Sequence, residues 1–528
     1  MPDAAAPSPT TRRLLWVGFY LLLAFSFLGS RPIWDPDEGR YTNVALHMLE
    51  RGDFIHPMRS DEVGHWTKPP LTYWAIAASI GTFGRNAWAA RLPAALAFLA
   101  CVFLVGRMAR RLAPGREGFA SLAFATMTMP LGAVALITTD YLLTAMLALG
   151  MWGYVEARFG DPSRSRRRAL LMWVGFGLAF LTKGPPALLP WLAIAALELF
   201  GNRRRGLPLF ALEGPLLFGV LAFGWFALVT VEQPALLNYF LGQEVAKRIA
   251  GDGFGRNSQW YGWLLVYAPT VLLGSLPWTW RLLKSLGETT GMLRGWWARR
   301  TDASLADEAR LLTLAWLALP LLVLCLASSR LPLYALPLFL PIALIVAQYS
   351  TKPRVWWPRL LTWVAGLLAL RLLAAHWPTS GNAEEWANEI IARAPGPVHE
   401  VVFVDDKPRY GVHLYIDAEV EKVALKSPDM SDFGRIADHS FVTEVLEREP
   451  GVLYVAESKH YPRLARAAAR VGMEARLLGE PHRGRRFFIV VPAKPVPAGP
   501  DDAPGTPASE PASGPASQAE APPEPNPA

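Results

Sequence analysis

The chain has 528 residues, of which 52% are hydrophobic and only 18% are charged, a composition too apolar for a soluble enzyme of this size. Its net charge of +8 does not indicate a nucleic-acid partner, because the basic residues lie in short clusters between apolar runs. The two cysteines, Cys101 and Cys325, each lie inside an apolar run, so neither a disulfide framework nor a zinc-binding cysteine pair is predicted. The composition predicts an integral membrane protein.

Eleven apolar runs are long enough, or nearly so, to cross about 30 Å of hydrocarbon. They cover residues 14–29, 88–106, 119–137, 141–157, 169–182, 186–200, 208–231, 260–280, 311–328, 331–349 and 355–375. The first run follows Arg12 and Arg13 as a signal peptide would, but no small-x-small cleavage site follows it, so we interpret it as the first transmembrane helix. Because several runs are short and residues 71–83 add a further apolar stretch, we expect about 11 to 13 spans.

Basic clusters fall in alternate gaps between these runs, and the positive-inside rule assigns those gaps to the cytoplasm. The clusters are Arg12 and Arg13; Arg107, Arg110 and Arg111; Arg164 and Arg166 to Arg168; Arg203 to Arg205; Arg281, Lys284, Arg294, Arg299 and Arg300; and Lys352 and Arg354. The remaining gaps face outward, and they hold the polar stretches 30–87, 138–140, 183–186, 232–259 and 328–330. The sequence therefore predicts a polar site on the outer face of the membrane.

The composition changes near residue 376. Runs of β-branched and aromatic residues predict strands at 398–404, 412–416, 452–456 and 487–491, and residues 461–471 predict a helix. We therefore divide the chain into a transmembrane domain (1–375), a small soluble α/β domain (376–493) and a tail (494–528) whose Pro, Ala, Ser and Gly content predicts disorder. An odd number of spans places the α/β domain on the outer side.

The loop after the first apolar run concentrates charged residues between two hydrophobic segments. It contains Asp35-x-Asp37, then Asp37-Glu38-x-Arg40-Tyr41, and it ends at Lys68-Pro69-Pro70. Charged groups at the edge of a bilayer usually mark an ion, proton or substrate site, whereas a solvated connecting loop with ordinary surface charges is the alternative. The Asp-x-Asp spacing alone is a weak indication of a metal-bound diphosphate.

The ordered series of motifs resembles the GT-C class of membrane glycosyltransferases, specifically the bacterial aminoarabinose transferases within the wider family that includes the protein O-mannosyltransferases. The resemblance extends to Thr139-Asp140, to residues 175–185 (Gly-Phe-Gly-Leu-Ala-Phe-Leu-Thr-Lys-Gly-Pro) and to Arg330-Leu331-Pro332-x-Tyr334. It covers roughly residues 14–350. It implies a polytopic, mostly helical GT-C fold that carries the α/β domain outside the membrane.

The resemblance also implies roles for individual residues. Asp37 is similar to the principal catalytic carboxylate of the family and Asp140 to the second acidic residue of the same cavity, and Glu38 is a further catalytic candidate. Arg40, Lys68 and Tyr334 resemble the ligands of the donor phosphate. A basic residue before the eighth span belongs to such sites, and here the candidates are Lys247 and Arg248. Lys183 and Arg330 are additional candidates for contact with donor or acceptor.

One departure from the family pattern concerns metal binding. Thr67 stands where the family has a glutamate that is reported as a zinc ligand, and His65-Trp66 replaces Tyr-Phe. We therefore predict no zinc there, no other metal and no cofactor. A metal site made of His47, His56 and His65 is not supported by their spacing, and the histidines of the α/β domain are interpreted as structural.

Three single residues have simpler interpretations that remain open. Asp140 lies at a helix start and would serve as an N-cap, Tyr334 suits the aromatic belt at a membrane interface, and Lys183 suits a snorkelling position. These interpretations assign no chemistry to the three side chains.

The resemblance and the chemistry lead to one functional prediction. When a polyprenyl-phosphate sugar reacts, negative charge builds on the leaving phosphate while the anomeric carbon becomes cationic, so fixed cations and an opposed carboxylate suit this step. We expect an inverting glycosyltransferase of the bacterial inner membrane that moves a monosaccharide from an undecaprenyl-phosphate donor to lipid A or another envelope glycan on the periplasmic side. The alternatives are a protein O-glycosyltransferase and a transporter or flippase of lipid-linked sugars.

Overall fold

The computed structural model describes residues 8–200, 208–246, 255–298, 304–350, 355–430 and 432–493. The helices of the N-terminal part are α1 (Pro9–Phe25), α2 (Asp37–Arg51), α3 (Leu71–Phe83), α4 (Ala87–Leu112), α5 (Glu117–Thr126), α6 (Thr128–Ala133), α7 (Thr139–Phe159), α8 (Ser165–Lys183), α9 (Trp191–Phe200), α10 (Glu213–Glu232), α11 (Ala235–Asn238), α12 (Gly262–Gly274), α13 (Thr279–Ala298), α14 (Leu305–Leu326), α15 (Phe339–Tyr349) and α16 (Trp357–Ala374). Short 3₁₀ helices cover Pro162–Arg164, Pro185–Leu188 and Pro332–Leu338, and a π-helix covers Tyr239–Ala246.

Each of the eleven apolar runs coincides with helical structure. Five helical segments in the described part of the chain are long and apolar enough to cross a membrane: Ala87–Leu112, Glu213–Glu232, Leu305–Leu326, Pro332–Tyr349 and Trp357–Ala374. The run 119–137 is divided between α5 and α6. The mostly helical fold class predicted from the sequence is confirmed.

Helices α7 and α8 approach each other through glycines. A Cβ atom added to Gly175 on α8 would lie 2.2 Å from the backbone nitrogen of Gly150 on α7, and one added to Gly153 would lie 2.4 Å from the nitrogen of Met172. Only glycine, whose side chain is a single hydrogen atom, allows the two backbones to come this close. Because the two helices are joined by a short connection, the N-terminal end of α7 lies beside the C-terminal end of α8. This packing brings Asp140 next to Lys183.

The motif after the first span is helical. Asp37 and Glu38 occupy the first turn of α2, where carboxylates are favoured by the partial positive charge of the helix N-terminus. The helix ends before Gly52, which adopts the left-handed conformation with φ of 65°. The stretch 30–87, read from the sequence as a loop, is therefore a folded unit that contains α2 and α3.

The C-terminal part is built around a five-stranded sheet in the order β2-β1-β3-β5-β4. Its strands are β1 (Glu400–Val404), β2 (Glu419–Val423), β3 (Val452–Glu457), β4 (Met473–Leu477) and β5 (Arg485–Pro492), and its helices are α17 (Ala383–Arg393), α18 (Val412–Tyr415), α19 (Phe441–Glu447) and α20 (Tyr461–Arg470). Strands β1, β2 and β3 are parallel, whereas β5 runs antiparallel to β3 and β4. The small α/β domain predicted beside the membrane helices is confirmed.

One strand prediction in this domain is wrong. Residues 412–416 were expected to form a strand, but Val412–Tyr415 is a short helix. The reason is tertiary contact: Val412 is fully buried, and the Tyr415 hydroxyl accepts a hydrogen bond of 2.9 Å from the Ile33 amide. Strands β2 and β4 and helices α17 and α19 were not predicted. Strand β2 was not predicted from the sequence because Glu419 and Glu421 interrupt its apolar pattern.

The sheet domain contacts the segment that leads into α2. The Asp35 amide donates to the Gly381 carbonyl at 2.8 Å, the Ala383 amide donates to the Ile33 carbonyl at 3.0 Å, and the Asp35 carboxylate accepts from the Gly411 amide at 3.1 Å. These bonds fix the start of α2 against the sheet domain. The predicted tail, 494–528, lies outside the described residues.

Candidate active site

Asp37 and Arg40 form the exposed edge of α2. Their side chains lie one helical turn apart, and Nη2 of Arg40 is 2.5 Å from Oδ1 of Asp37. The Asp37 side chain is 53% exposed and that of Arg40 is 28% exposed. The Nε atom of Arg40 is buried and has no hydrogen-bond partner in the described residues. Both groups are therefore open to a ligand that brings an acceptor for Arg40.

Tyr41 connects this edge to the membrane helices. The residue is 7% exposed, and burial raises the pKa of its hydroxyl to about 12. The positive charge of Arg40 opposes that rise, whereas the charges of Asp37, Asp140 and Tyr334 add to it. Four residues predicted from distant parts of the sequence thus act on one hydroxyl.

Asp140 and Lys183 form a buried ion pair at the neighbouring helix ends. Nζ of Lys183 lies 2.5 Å from Oδ1 of Asp140, with side-chain exposures of 10% and 7%. The same Nζ lies 4.4 Å from the ring centroid of Tyr334, within cation–π range. The N-cap of α7 is Thr138, whose hydroxyl accepts from the Asp140 amide at 3.2 Å. The Asp140 carboxylate is therefore used for the ion pair and is not the helix cap.

Three basic residues surround a neutral histidine beside α2. Nε of Arg59 donates to Nδ1 of His65 at 2.8 Å, and Nε2 of His65 lies 3.1 Å from the Thr67 hydroxyl. Burial lowers the pKa of His65 well below its ordinary value, and the positive charges of Arg59, Arg40 and Lys68 lower it further. We call this group, Arg40, Arg59 and Lys68 around His65, the cationic cluster.

Arg59 was not predicted from the sequence. It is 5% exposed, and its Nη1 also donates to the Arg435 carbonyl of the sheet domain at 3.3 Å. A single arginine in a charged loop carries no pattern that would distinguish it. Only the contact with His65 places it beside Arg40 and Lys68.

Glu38 points away from its neighbour Asp37. The side chain is 6% exposed; Oε1 lies 2.6 Å from Nη2 of Arg31 and Oε2 lies 2.9 Å from Nη2 of Arg91. It also accepts from the backbone amides of Trp34 and Ile137, at 2.9 and 3.2 Å. Arg31 and Arg91, neither of which was predicted, hold Glu38 among backbone groups, so the structure does not bring it to the Asp37 edge.

The remaining predicted residues have separate positions. Arg330 is 5% exposed and donates to the carbonyls of Cys325, Asn257 and Gln259 at 2.7 to 3.2 Å, so its side chain holds the backbone together. Lys247 and Arg248 lie outside the described residues.

A cavity of about 480 Å³ opens beside this region, against the 53–66 segment. Its walls include Asp53, His56, Trp66, Glu232 and Arg435. None of the predicted site residues in the described part of the chain lines it. The cavity therefore adjoins the predicted site and is not the space between its residues.

The residues with metal-binding geometry in the described ranges lie in the sheet domain and around Glu62, away from Thr67. They form two overlapping groups: Glu62, His439 and Glu447, and Glu421, His439 and Glu444. Neither group contains a predicted catalytic or donor-binding residue.

Sequence comparisons identify relatives over most of the chain. A profile described as dolichyl-phosphate-mannose-protein mannosyltransferase matches residues 67–231, a range that includes Lys68, Asp140 and Lys183 but begins after Asp37 and Arg40. The undecaprenyl phosphate-alpha-4-amino-4-deoxy-L-arabinose arabinosyl transferase of Erwinia tasmaniensis is 30% identical over 430 residues, which cover 79% of this chain and 69% of the relative. The chain belongs to the aminoarabinose transferase family of membrane glycosyltransferases. The enzyme of the same name from Aeromonas salmonicida is 31% identical over 370 residues, 67% of this chain and 64% of that protein.

The family fold is also found in solved structures. ArnT from Cupriavidus metallidurans, in a crystal structure bound to undecaprenyl phosphate, superimposes with a TM-score of 0.72 and 20% sequence identity, covering 91% of this chain and 98% of the other. The apo crystal structure of the same protein gives a TM-score of 0.71. Because the sequence identity is only 20%, this similarity establishes the fold alone: the chain adopts the GT-C fold.

Proposed function

We propose that this protein is an inverting glycosyltransferase that moves a monosaccharide from an undecaprenyl-phosphate donor to lipid A or another envelope glycan. The observation that carries the proposal is a pair of contacts around Tyr41. Arg40 pairs with Asp37 and lies 5.5 Å from the ring centroid of Tyr41, and Lys183 joins Asp140 to the ring of Tyr334. The charges of Asp37, Arg40 and Asp140 all act on the Tyr41 hydroxyl, and Arg40 also belongs to the cationic cluster. The relatives named above act with undecaprenyl phosphate-linked aminoarabinose according to their names.

The cationic cluster suits the leaving phosphate. Arg40, Arg59 and Lys68 lie close enough together for their charges to act jointly on His65, which remains neutral and adds no opposing charge. A lipid phosphate that gains negative charge as the sugar departs is stabilised by fixed guanidinium and ammonium donors. The buried Nε of Arg40 supplies a donor that has no partner within the described residues. No metal is required for the departing charge.

Asp37 is the carboxylate placed to meet the acceptor. It is the more exposed member of its pair with Arg40, so an acceptor hydroxyl can reach it and lose its proton there as the sugar bond forms. If the acceptor is a phosphate, its oxygen is already anionic, and Asp37 then orients it. Asp140 is held by Lys183 and supports the same site as a second negative charge.

Glu38 and Arg330 act as positioning residues in this proposal. Glu38 fixes the start of α2 through Arg31 and Arg91, and Arg330 ties Cys325 to residues 257–259. We infer that neither side chain touches the reacting atoms. Glu38 is therefore assigned a positioning role in place of the catalytic role predicted from the sequence. Lys183 contributes through Asp140 and Tyr334.

We place the site on the periplasmic side of the inner membrane. The support is the alternation of basic clusters along the chain, which assigns the loop 30–87 and residues 183–186 to one face. The hydrogen bonds between residues 33–35, just before α2, and the sheet domain support a position of that domain on the same face.

The proposal is tested by mass spectrometry of glycolipids from bacterial membranes with and without the gene, and with the Asp37→Asn variant. We expect a glycolipid that carries one extra sugar residue only where the native gene is present, because the variant keeps the shape of Asp37 but not its charge. An Asp417→Asn variant, changed at an exposed carboxylate of the sheet domain, should retain the product. Equal product from native protein and Asp37→Asn would contradict the role of Asp37.

The second candidate is a protein O-glycosyltransferase. The match to a profile described as protein mannosyltransferase favours it, and the same residues would perform the chemistry. A sugar found on periplasmic proteins, with unmodified glycolipids, would select this candidate. The absence of protein modification beside a modified glycolipid would exclude it.

A further inference from the structure

One histidine and three glutamates meet at an edge of the C-terminal sheet. Glu400 begins β1, Glu421 lies in the neighbouring strand β2, Glu444 lies on α19, and His439 precedes that helix. Their exposures are 9%, 7%, 4% and 8% respectively. We call these four residues the His439 cluster.

The nitrogen and oxygen atoms of this cluster are close together. Nε2 of His439 lies 2.8 Å from Oε2 of Glu444. One ligand atom from each of Glu421, His439 and Glu444 fits within 4.8 Å of the other two. A zinc ion bonded at about 2.0–2.2 Å to each ligand occupies a space of this size. Imidazole nitrogen and carboxylate oxygen are both zinc ligands.

Further carboxylates lie around the cluster. Oε2 of Glu62 lies 3.3 Å from Nδ1 of His439, and Oε1 of Glu447 lies 3.8 Å from Nε2. Asp438, which precedes His439 in the chain, is a further buried carboxylate at 1% exposure. Buried carboxylates in such number require protons or a cation to balance them.

Glu400 supplies an independent indication of a ligand. The side chain is nine-tenths buried, and its Oε1 atom has no hydrogen-bond partner in the described residues. The Glu400 side chain lies within hydrogen-bonding reach of Glu421 and within electrostatic range of Glu444. Glu400 therefore faces the cluster with one oxygen unused. Buried polar atoms without partners are rare in folded proteins and require an explanation.

We propose that Glu421, His439 and Glu444 bind a divalent metal ion, best matched by Zn²⁺, with the Glu400 carboxylate beside the site. The ion replaces the proton between His439 and Glu444 and neutralises the buried carboxylates. This site is separate from the Asp37 edge, and the proposal does not depend on the glycosyltransferase activity. It also differs from a zinc site at Thr67, which lacks the family carboxylate.

The position of Glu62 connects the proposed metal site to the segment that carries the cationic cluster. Glu62 belongs to the same segment as Arg59 and Lys68, and its backbone carbonyl accepts a hydrogen bond from Arg435 at 3.2 Å. A metal bound to His439 fixes the imidazole that Glu62 contacts. The ion thereby stabilises the sheet domain against the segment that carries the cationic cluster.

The test measures zinc bound to the purified full-length protein in detergent. The protein is stripped with a chelator, mixed with one equivalent of Zn²⁺, desalted and analysed by inductively coupled plasma mass spectrometry. We expect about one zinc per chain for the native protein and at least about tenfold weaker zinc binding for Glu421→Gln and His439→Ala. The matched control Glu384→Gln, at an exposed glutamate on α17, should bind zinc as the native protein does. Zinc binding that is equal in Glu421→Gln, His439→Ala and the native protein would overturn the proposal.

X-ray absorption at the zinc edge of the loaded native protein decides the outcome even if the variants fail to fold. We expect one imidazole nitrogen and at least two carboxylate oxygens in the first shell, with bonds of about 2.0–2.2 Å. A first shell without imidazole, or native protein that retains less than about a tenth of an equivalent, would contradict the site.

Discussion

The segment 57–68 separates two regions of opposite charge. On one side, Arg59 and Lys68 join Arg40 around a neutral His65. On the other, the Ser60 hydroxyl bonds to Asp438, and the Asp61 amide donates to Glu419 at 2.6 Å beside the His439 cluster. One short segment thus contributes to both the proposed anion site and the proposed cation site. Charge of one sign, gathered by residues from several elements, indicates a ligand of the other sign.

The largest expected effect lies at Asp37, on the anion side. We expect Asp37→Asn to lower kcat by about 10²- to 10⁴-fold, the usual contribution of a positioned general base or charged group. The measurement is turnover of purified protein with a polyprenyl-phosphate sugar and a glycolipid extract. Asp417→Asn serves as control, and a variant rate within twofold of the native rate would remove Asp37 from the chemistry.

The ion pairs of Glu38 should affect stability and leave the chemistry largely intact. Arg91 is fully buried and Glu38 is 6% exposed, so Arg91→Met leaves a buried carboxylate with one partner fewer. Loss of one partner of a buried pair costs about 3–5 kcal/mol of unfolding free energy. Differential scanning fluorimetry in detergent should show a much lower Tm. A Tm unchanged by Arg91→Met would contradict the positioning role of Glu38.

Arg59 tests the anion side of the comparison, because this residue was assigned to the cationic cluster from the structure and not from the sequence. Loss of a charged hydrogen bond costs about 1.5–3 kcal/mol, so we expect Arg59→Met to lower kcat/KM by about 10- to 100-fold. The loss should appear in KM for the lipid donor more than in kcat. Arg51→Met, on the exposed side of the neighbouring cavity, is the matched control, and equal effects of both substitutions would argue against a specific role.

The smallest expected effect is a pH-dependent change in stability caused by the Asp35 carboxyl. Burial raises the pKa of its carboxyl to about 7; Gly411, Arg409 and Arg40 lower it and Glu38 raises it. Because the folded pKa lies above the unfolded value, the stabilisation is full below about pH 4 and is lost as the pH rises through about 7.

Asp35→Asn removes this titration. The Tm of the variant relative to the native protein should therefore rise between about pH 4 and pH 7. Glu384→Asn provides a control at an exposed carboxylate. A constant difference in Tm across this range would contradict the buried state of Asp35.

The sequence identified those parts of the site that belong to local motifs. Asp37 and Arg40 share one turn of α2, and Asp140, Lys183 and Tyr334 lie at the ends of apolar runs. The resemblance to the family, carried by these local motifs, selected them as candidates. Their assembly around Tyr41 is visible only in the structure.

The residues that were missed have partners distant in the sequence. Arg91 pairs with Glu38, 53 residues away, and Arg59 contacts the carbonyl of Arg435, 376 residues away. Strand β2 was missed because its glutamates face the His439 cluster, where burial of charge overrides the alternation expected of a strand. Long-range pairing of charges leaves no periodic pattern in the sequence.

The most direct measurement is native mass spectrometry of the purified protein with undecaprenyl phosphate and with undecaprenol, which differs only in lacking the phosphate. We expect the native protein to retain undecaprenyl phosphate at least about tenfold more tightly than undecaprenol, and to lose that preference when Arg59 and Lys68 are both changed to Met. Equal retention of the two lipids by the native protein would contradict the assignment of the cationic cluster to a lipid-linked phosphate.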